Sequence, residues 1–66
     1  MKIKFFINHR EPGMVDLAEK MRQLKIDFSS LATSGPSVLW LDGRAQYGIT
    51  AVKHAVHKLI EENENG

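Results

Sequence analysis

The sequence contains no cysteine, which excludes disulfide cross-links and every reaction that needs a thiolate. Thiolate metal sites and Cys-His nucleophiles are excluded for the same reason. An excess of charge of one sign is also missing, because 9 Lys and Arg stand against 8 Asp and Glu and leave a net charge of +1. Proteins that bind nucleic acid through its phosphates carry a strongly basic face, so nucleic acid is not an expected partner.

Long apolar runs are missing as well. The longest is Val38–Leu41, far shorter than the ~20 residues that span a membrane. No apolar segment of the kind found in signal peptides follows the first residues. We therefore expect a cytoplasmic protein with no membrane partner. With 66 residues in total, the chain has room for one small domain, expected over residues 1–62. Residues 63–66 are expected to form a disordered tail.

The first half of the chain has the pattern strand, helix, strand. Period-two alternation predicts a strand over residues 3–7. Apolar residues then recur at helical spacing, at Met14, Leu17, Ala18, Met21 and Leu24. They predict an amphipathic helix with Pro12 in its first turn. A second short strand is expected around Ile26 and Phe28, followed by a Ser-rich loop over residues 29–36.

The second half has the pattern strand, strand, helix. Val38–Leu41 is apolar on both faces, as in a central strand. Asp42-Gly43 favours a type I′ hairpin turn into a polar edge strand over residues 44–47. Thr50 is a potential N-cap for a final helix with an apolar stripe. A right-handed crossover makes the first unit a parallel strand pair. Since the first and third strands are the most apolar, they are expected in the centre, which predicts an α/β domain with a mixed sheet of order 2-1-3-4. Each helix has one apolar stripe, so both are expected on one face of the sheet.

Three short segments carry a resemblance to a known family. Pro36–Gly43 resembles the proline-started third strand and hairpin of glutaredoxins, and Gly48–Thr50 resembles their glycine-containing turn before the last helix. Glu11-Pro12-Gly13-Met14 falls where glutaredoxins carry Cys-Pro-x-Cys. The chain therefore resembles a minimal glutaredoxin, a protein of the thioredoxin-like fold, over nearly its whole element order. Neither Glu11 nor Met14 can form a mixed disulfide, so a redox-inactive form is expected.

The resemblance also implies a ligand pocket. In the family, the proline that corresponds to Pro36 is cis and lets the preceding backbone pair with glutathione or an extended peptide. The pocket implied here is bounded by Arg10, Glu11, Ser34, Gly35, Pro36, Gly48 and Thr50. The other interpretation is an inherited turn that binds no ligand.

The family's helix between strands two and three is absent, which should expose one face of the sheet. Phe6 would lie there, together with either Val38 and Trp40 or Leu39 and Leu41. An exposed cluster containing Phe6 and Trp40 would be a surface for another protein or for a homodimer. Alternatively, the loop over residues 29–36 folds across the cluster through Leu31.

The polar residues that could carry chemistry also have ordinary structural explanations. Glu11 at a helix start is typical of a capping carboxylate, although His9 or Arg10 could assist it as an acid-base group. His54, His57 and Glu61 are spaced along one helix face, which is more typical of solvated side chains than of a metal site. No metal and no cofactor are expected.

These observations predict a redox-inactive, glutaredoxin-like binding or adaptor module. Its contacts would involve the loop around Glu11 with the Pro36 region, or the uncovered sheet face. The expected partner is another protein or a second copy of the chain, and glutathione or a peptide is also compatible with the sequence. The alternative is a thiol-independent enzyme that uses Glu11 as acid or base in a glutathione-like pocket.

Overall fold

The chain forms one mixed sheet and two helices. The computed structural model describes residues 2–65. The elements in chain order are β1 (Ile3–Ile7), α1 (Met14–Gln23), β2 (Ser29–Ala32), β3 (Val38–Leu41), β4 (Arg44–Tyr47) and α2 (Ile49–Asn65). The sheet order is β2-β1-β3-β4, with β1 and β2 parallel and the other neighbours antiparallel. The predicted α/β architecture with a four-stranded sheet of order 2-1-3-4 is confirmed.

Both helices pack against the sheet and against each other, α1 on β1 and α2 on β3 and β4. The residues buried between these layers are Ile3, Phe5, Ile7, Met14, Ala18, Met21, Leu39, Val52, Ala55, Val56 and Ile60. The buried positions of β1 alternate along the strand, and those of each helix fall on one stripe, as the sequence periodicity predicts. Leu39 is fully buried, whereas its neighbour Trp40 is 39% exposed. This settles which pair of β3 side chains faces away from the helices: Val38 and Trp40.

The position of β2 differs from the prediction. A strand was expected around Ile26 and Phe28, but β2 starts at Ser29 and occupies part of the expected loop. Ile26 and Phe28 instead pack against the core from the connection before the strand. Since β2 is defined by its parallel pairing with β1, its position depends on contacts between segments distant in sequence.

The end of α1 contains a turn at an unusual residue. Lys25 has a left-handed backbone with φ 59°. Its N–H donates to the Arg22 carbonyl and the Ile26 N–H to the Met21 carbonyl, both at 3.0 Å. These bonds form a Schellman motif, a helix end at which glycine is usual because a Cβ is disfavoured there. The chain therefore reverses direction at a lysine, without the glycine that signals such a turn in a sequence.

Both helices also start differently from the prediction. α1 begins at Met14 after a left-handed Gly13, with φ 84°, so Pro12 lies in the preceding turn and not in the helix. α2 begins at Ile49, so Thr50 lies within its first turn and is not the N-cap.

The carboxyl-terminal helix is longer than predicted. α2 has 17 residues and continues to Asn65, so residues 63–65 are helical and not part of a disordered tail. Gly66 lies outside the described residues. Within residues 2–65, neither helix combines the length and the apolar character needed to cross a membrane.

The β3–β4 hairpin matches the prediction. Asp42 and Gly43 both have positive φ, at 50° and 89°, as a type I′ turn requires. β4 follows from Arg44 and is an edge strand of the sheet.

Candidate functional site

Two regions contain the residues that the sequence analysis singled out. The first is a polar cluster where β1 ends and β3 begins, and Ser37 lies at its centre. The Ser37 side chain is fully buried, and its Oγ accepts the Asn8 backbone N–H at 2.9 Å. The Ser37 carbonyl accepts the Gly48 N–H at 3.2 Å. Ser37 thereby connects the end of β1 to the segment that joins β4 to α2.

Asn8 closes the other side of this cluster. Its side-chain amide donates to the carbonyls of Gly35 at 2.8 Å and Ser34 at 3.3 Å. Its Oδ1 accepts the Arg10 backbone N–H at 3.0 Å. The Asn8 side chain therefore holds the loop before β3 against the loop after β1.

Glu11 belongs to the same cluster and does not cap a helix. Its Oε1 accepts the backbone N–H of Ser37 at 2.7 Å. Hydrogen bonds from the Ser37 side chain and backbone lower the pKa of the Glu11 carboxyl, because they stabilise the charged form. A carboxyl with a lowered pKa is a poor general acid near neutral pH, so the arrangement gives no support to the acid role considered for Glu11. The expectation of a helix-capping carboxylate is also wrong, since the bond spans two loops.

The predicted pocket residues are thus brought to one end of the sheet. Arg10, Ser34 and Gly35 meet at Asn8, whereas Glu11 and Gly48 meet at Ser37. Pro36 lies between the two groups in the chain, and Thr50 follows in the first turn of α2. Five of these residues therefore hydrogen-bond to Asn8 or Ser37, which is typical of a structural junction.

The peptide bond before Pro36 corrects one implication of the resemblance. No cis peptide bond occurs among residues 2–65, so Gly35–Pro36 is trans. The Gly35 carbonyl already accepts a hydrogen bond from Asn8. The backbone geometry that the resemblance implied for pairing with glutathione or a peptide is therefore absent at this bond.

A shallow hollow of about 600 Å³ lies beside this junction and includes Gly48 and Thr50. Its remaining lining residues are Gln46, Tyr47, Ile49, Ala51 and His54. Of the residues predicted to bound the ligand pocket, the hollow therefore includes Gly48 and Thr50 but none from the loop around Glu11.

Sequence reasoning missed Asn8 and Ser37, the two residues that organise the cluster. Asn directly after a strand and before a turn is a signal for side-chain to backbone bonds. Ser37, the polar residue immediately before an apolar strand, gives a weaker signal. Its burial depends on packing between loops that are far apart in the sequence.

The second region is the sheet face that carries no helix, called the open face below. Strand register defines its members, because directly paired residues point to the same side of a sheet. One cross-strand row is Leu31–Phe6–Val38–Tyr47, and the next is Ser29–Lys4–Trp40–Ala45. The first row is apolar or aromatic across all four strands. Phe6 and Trp40, the predicted partner surface, therefore lie on the same face in neighbouring rows.

Leu31 does not cover this surface, contrary to the alternative considered for it. It is part of β2, is paired with Phe6 and is 47% exposed. Tyr47, which sequence reasoning did not assign to the patch, ends the same row at 68% exposure. Its assignment required the hairpin register, since one residue of slip would turn it to the other face.

The histidines of α2 do not converge on one site. His57 lines a groove of about 420 Å³ between α1 and α2 that Asp16 and Glu61 also line. His54 lines a different groove, between α2 and the β3–β4 hairpin. Within the part of the chain that the structure describes, no group of three or more His, Asp or Glu side chains is placed to hold a metal ion.

Comparison with known proteins adds no further information about the site: no protein-family model, no curated protein and no solved structure matches this chain.

Proposed function

We propose that this chain is a small protein-binding module and that its contact surface is the open face. Its partner would be an amphipathic segment of another protein with apolar side chains along one side. The observation that carries the proposal is the row Leu31–Phe6–Val38–Tyr47, which extends across every strand of a sheet face that neither helix covers.

The composition of the open face supports this proposal. It holds two aromatic side chains with large exposed fractions, Trp40 at 39% and Tyr47 at 68%. Tryptophan and tyrosine are enriched among the residues that dominate binding energy at protein interfaces. Lys4 lies in the row beside the apolar one, so the face combines an apolar centre with a basic group, as interfaces with a polar rim do.

We further propose that the fold is a shortened thioredoxin-like fold without redox activity. The element order and sheet order support this assignment, as does the resemblance of the Pro36–Gly43 segment. The absence of cysteine removes the nucleophile and the resolving thiol of the family's chemistry. Contact through the loop around Glu11 has less support than contact through the open face, because Asn8 and Glu11 already bond to the segment before β3. A cytoplasmic location remains a prediction from the sequence.

Selection of peptides from a displayed random library, with the wild-type chain as bait, tests the proposal. Selected peptides should be amphipathic, and Trp40→Ser should weaken their binding at least tenfold in a titration that monitors amide shifts. Val15→Ser is the matched control, because Val15 on α1 is 40% exposed, nearly the same as Trp40, but lies on the opposite side of the sheet.

The two substitutions separate the outcomes. The proposal is supported when shifts occur at Phe6, Val38 and Tyr47 and when only Trp40→Ser weakens binding. It is contradicted when Val15→Ser weakens binding as much as Trp40→Ser, or when the shifts concentrate at Glu11, Gly35 and Gly48. The second pattern would restore the loop pocket as the contact site.

A further inference from the structure

The strand β2 has one edge that pairs with β1 and one that faces solvent, because it is the first strand in the sheet order. The Thr33 N–H donates to the Ile7 carbonyl at 3.0 Å. Backbone groups of a strand alternate between its two edges. Leu31 and Ser29 therefore direct their N–H and C=O groups toward β1 along with Thr33, and Ser30 and Ala32 direct theirs outward.

β2 has only four residues, and the guanidinium of Arg22 on α1 donates to Ser30 Oγ at 3.3 Å. The strand itself, however, carries no side chain of the kind that normally prevents edge pairing. Protected edges carry charged side chains, proline or bulges. β2 has the sequence Ser-Ser-Leu-Ala, contains no charge and no proline, and is exposed at every position. The other edge strand, β4, begins with the charged Arg44. Arg22 contacts the Ser30 side chain, which lies on the helix side of the sheet like its paired residue Phe5, and not the outward backbone groups of Ser30.

We propose that a second copy of this chain pairs with β2 along this edge, antiparallel and about a twofold axis at Leu31. Ser30 would lie opposite the partner subunit's Ala32, and Ala32 opposite the partner subunit's Ser30. Because these residues have outward-facing N–H and C=O groups, each pair exchanges both backbone hydrogen bonds. The interface is isologous, and the contact closes as a dimer.

The register of this pairing favours a second copy over an unrelated strand. Leu31 would lie directly opposite the partner subunit's Leu31, on the same side of the sheet, and an apolar pair opposite each other stabilises a sheet. Leu31 is also the end of the apolar row on the open face. Pairing at β2 would therefore join the rows of both copies into one row across both sheets, without covering Trp40 or Tyr47.

This inference goes beyond the proposed function, since it concerns the β2 edge, and the two meet only at Leu31. The dimer would double the width of the open face while leaving it accessible. A partner segment could then cross from one copy to the other.

Sedimentation over a concentration series tests the dimer directly. The series extends to roughly millimolar chain, which is high enough to detect weak association. We expect the wild type to self-associate and Ser30→Pro to weaken association at least tenfold. Proline removes the outward N–H of Ser30, together with the Oγ that accepts from Arg22, and leaves the backbone bonds to β1 in place. Ala45→Pro is the matched control on the other edge, because Ala45 does not lie in a hydrogen-bonded position of the β3–β4 ladder and its N–H also faces outward.

Hydrogen exchange on the wild type gives a readout that does not depend on a variant folding. Exchange at the Ser30 and Ala32 amides should slow as concentration rises, and exchange at Ala45 and Tyr47 should not change. A chain that stays monomeric with concentration-independent exchange would overturn the dimer. The dimer would also be overturned if Ala45→Pro abolished association and Ser30→Pro left it intact, since that result would assign the contact to β4.

Failure of this inference is distinguishable from failure of the proposed function. Ser30→Pro keeps every side chain of the open face and should retain binding of the selected peptides. Trp40→Ser should lose peptide binding and keep self-association. If Trp40→Ser abolishes self-association instead, the copies associate face to face and the edge pairing is wrong.

Discussion

The backbone N–H of Ser37 donates to Oε1 of Glu11 at 2.7 Å, across 26 positions of sequence. The carboxylate belongs to the loop after β1, and the N–H lies immediately before β3. Because Ser37 also accepts the Asn8 N–H on its side chain, one buried serine fixes the relative position of both loops. The position that resembles the first cysteine of a redox motif is therefore occupied by a structural carboxylate.

Ser37→Ala should destabilise the fold by about 1–3 kcal/mol, because it leaves a half-buried donor without its acceptor. The donor is the Asn8 N–H, which loses Oγ of Ser37 as its partner. Urea denaturation monitored by circular dichroism gives the free energy of unfolding. Ser34→Ala, at an exposed position of the same loop, is the control and should change that free energy by less than about 0.5 kcal/mol. Equal effects of both variants would show that the Ser37 hydroxyl has no special role.

The contribution of Glu11 to stability should depend on pH in a defined direction. Since Ser37 lowers the pKa of this carboxyl below its ordinary value of 4.5, the folded chain binds the proton less readily than the unfolded chain. The stabilisation is fully present above that value and is lost as the pH falls through the folded pKa. The difference in unfolding free energy between wild type and Glu11→Gln should therefore be constant from neutral pH down to the ordinary value and shrink below it.

Denaturation of both proteins across this pH range measures that difference. Glu19→Gln removes one carboxylate from an exposed position of α1 and controls for the general loss of a negative charge. A difference between wild type and Glu11→Gln that grows toward acid would contradict the predicted direction.

Much of the fold could be predicted from the sequence because its signals are local. Alternation at Ile3, Phe5 and Ile7 gives the buried face of β1, and Asp42-Gly43 gives the hairpin turn and hence the register of β3 with β4. Each depends on residues within a few positions of one another. Sheet order followed from the element order and from the apolar character of β1 and β3, which places these two strands in the centre.

The parts that sequence did not predict depend on non-local pairing or on an unusual residue. β2 has small, exposed side chains and is a strand only because β1 lies beside it. The turn before it uses a left-handed Lys25 in place of glycine. The polar cluster likewise needs Asn8 and Ser37 to meet, although they are 29 positions apart.

Lys25→Gly should stabilise the protein. A residue with a Cβ in the left-handed region costs about 1–2 kcal/mol, and the greater freedom of glycine in the unfolded chain offsets about 0.5–1 kcal/mol of that gain. We therefore expect a net stabilisation of about 0.5–1 kcal/mol, seen as a higher midpoint of urea denaturation with an unchanged slope. Lys20→Gly, inside α1, is the control and should destabilise by about 1 kcal/mol. Destabilisation by Lys25→Gly would show that its side chain contributes more than its backbone conformation costs.

Two adjacent residues of β3 test the assignment of the sheet faces. Leu39 is fully buried under the helices, and Trp40 is 39% exposed on the open face. Leu39→Ala should cost about 2–5 kcal/mol, because it creates a cavity in the core. Trp40→Ala removes a larger side chain but leaves no cavity, so it should cost less than half as much by the same denaturation measurement. A one-residue slip of register would exchange the two faces. In that case Trp40→Ala would be the more destabilising variant, and Leu39, not Trp40, would lie on the open face.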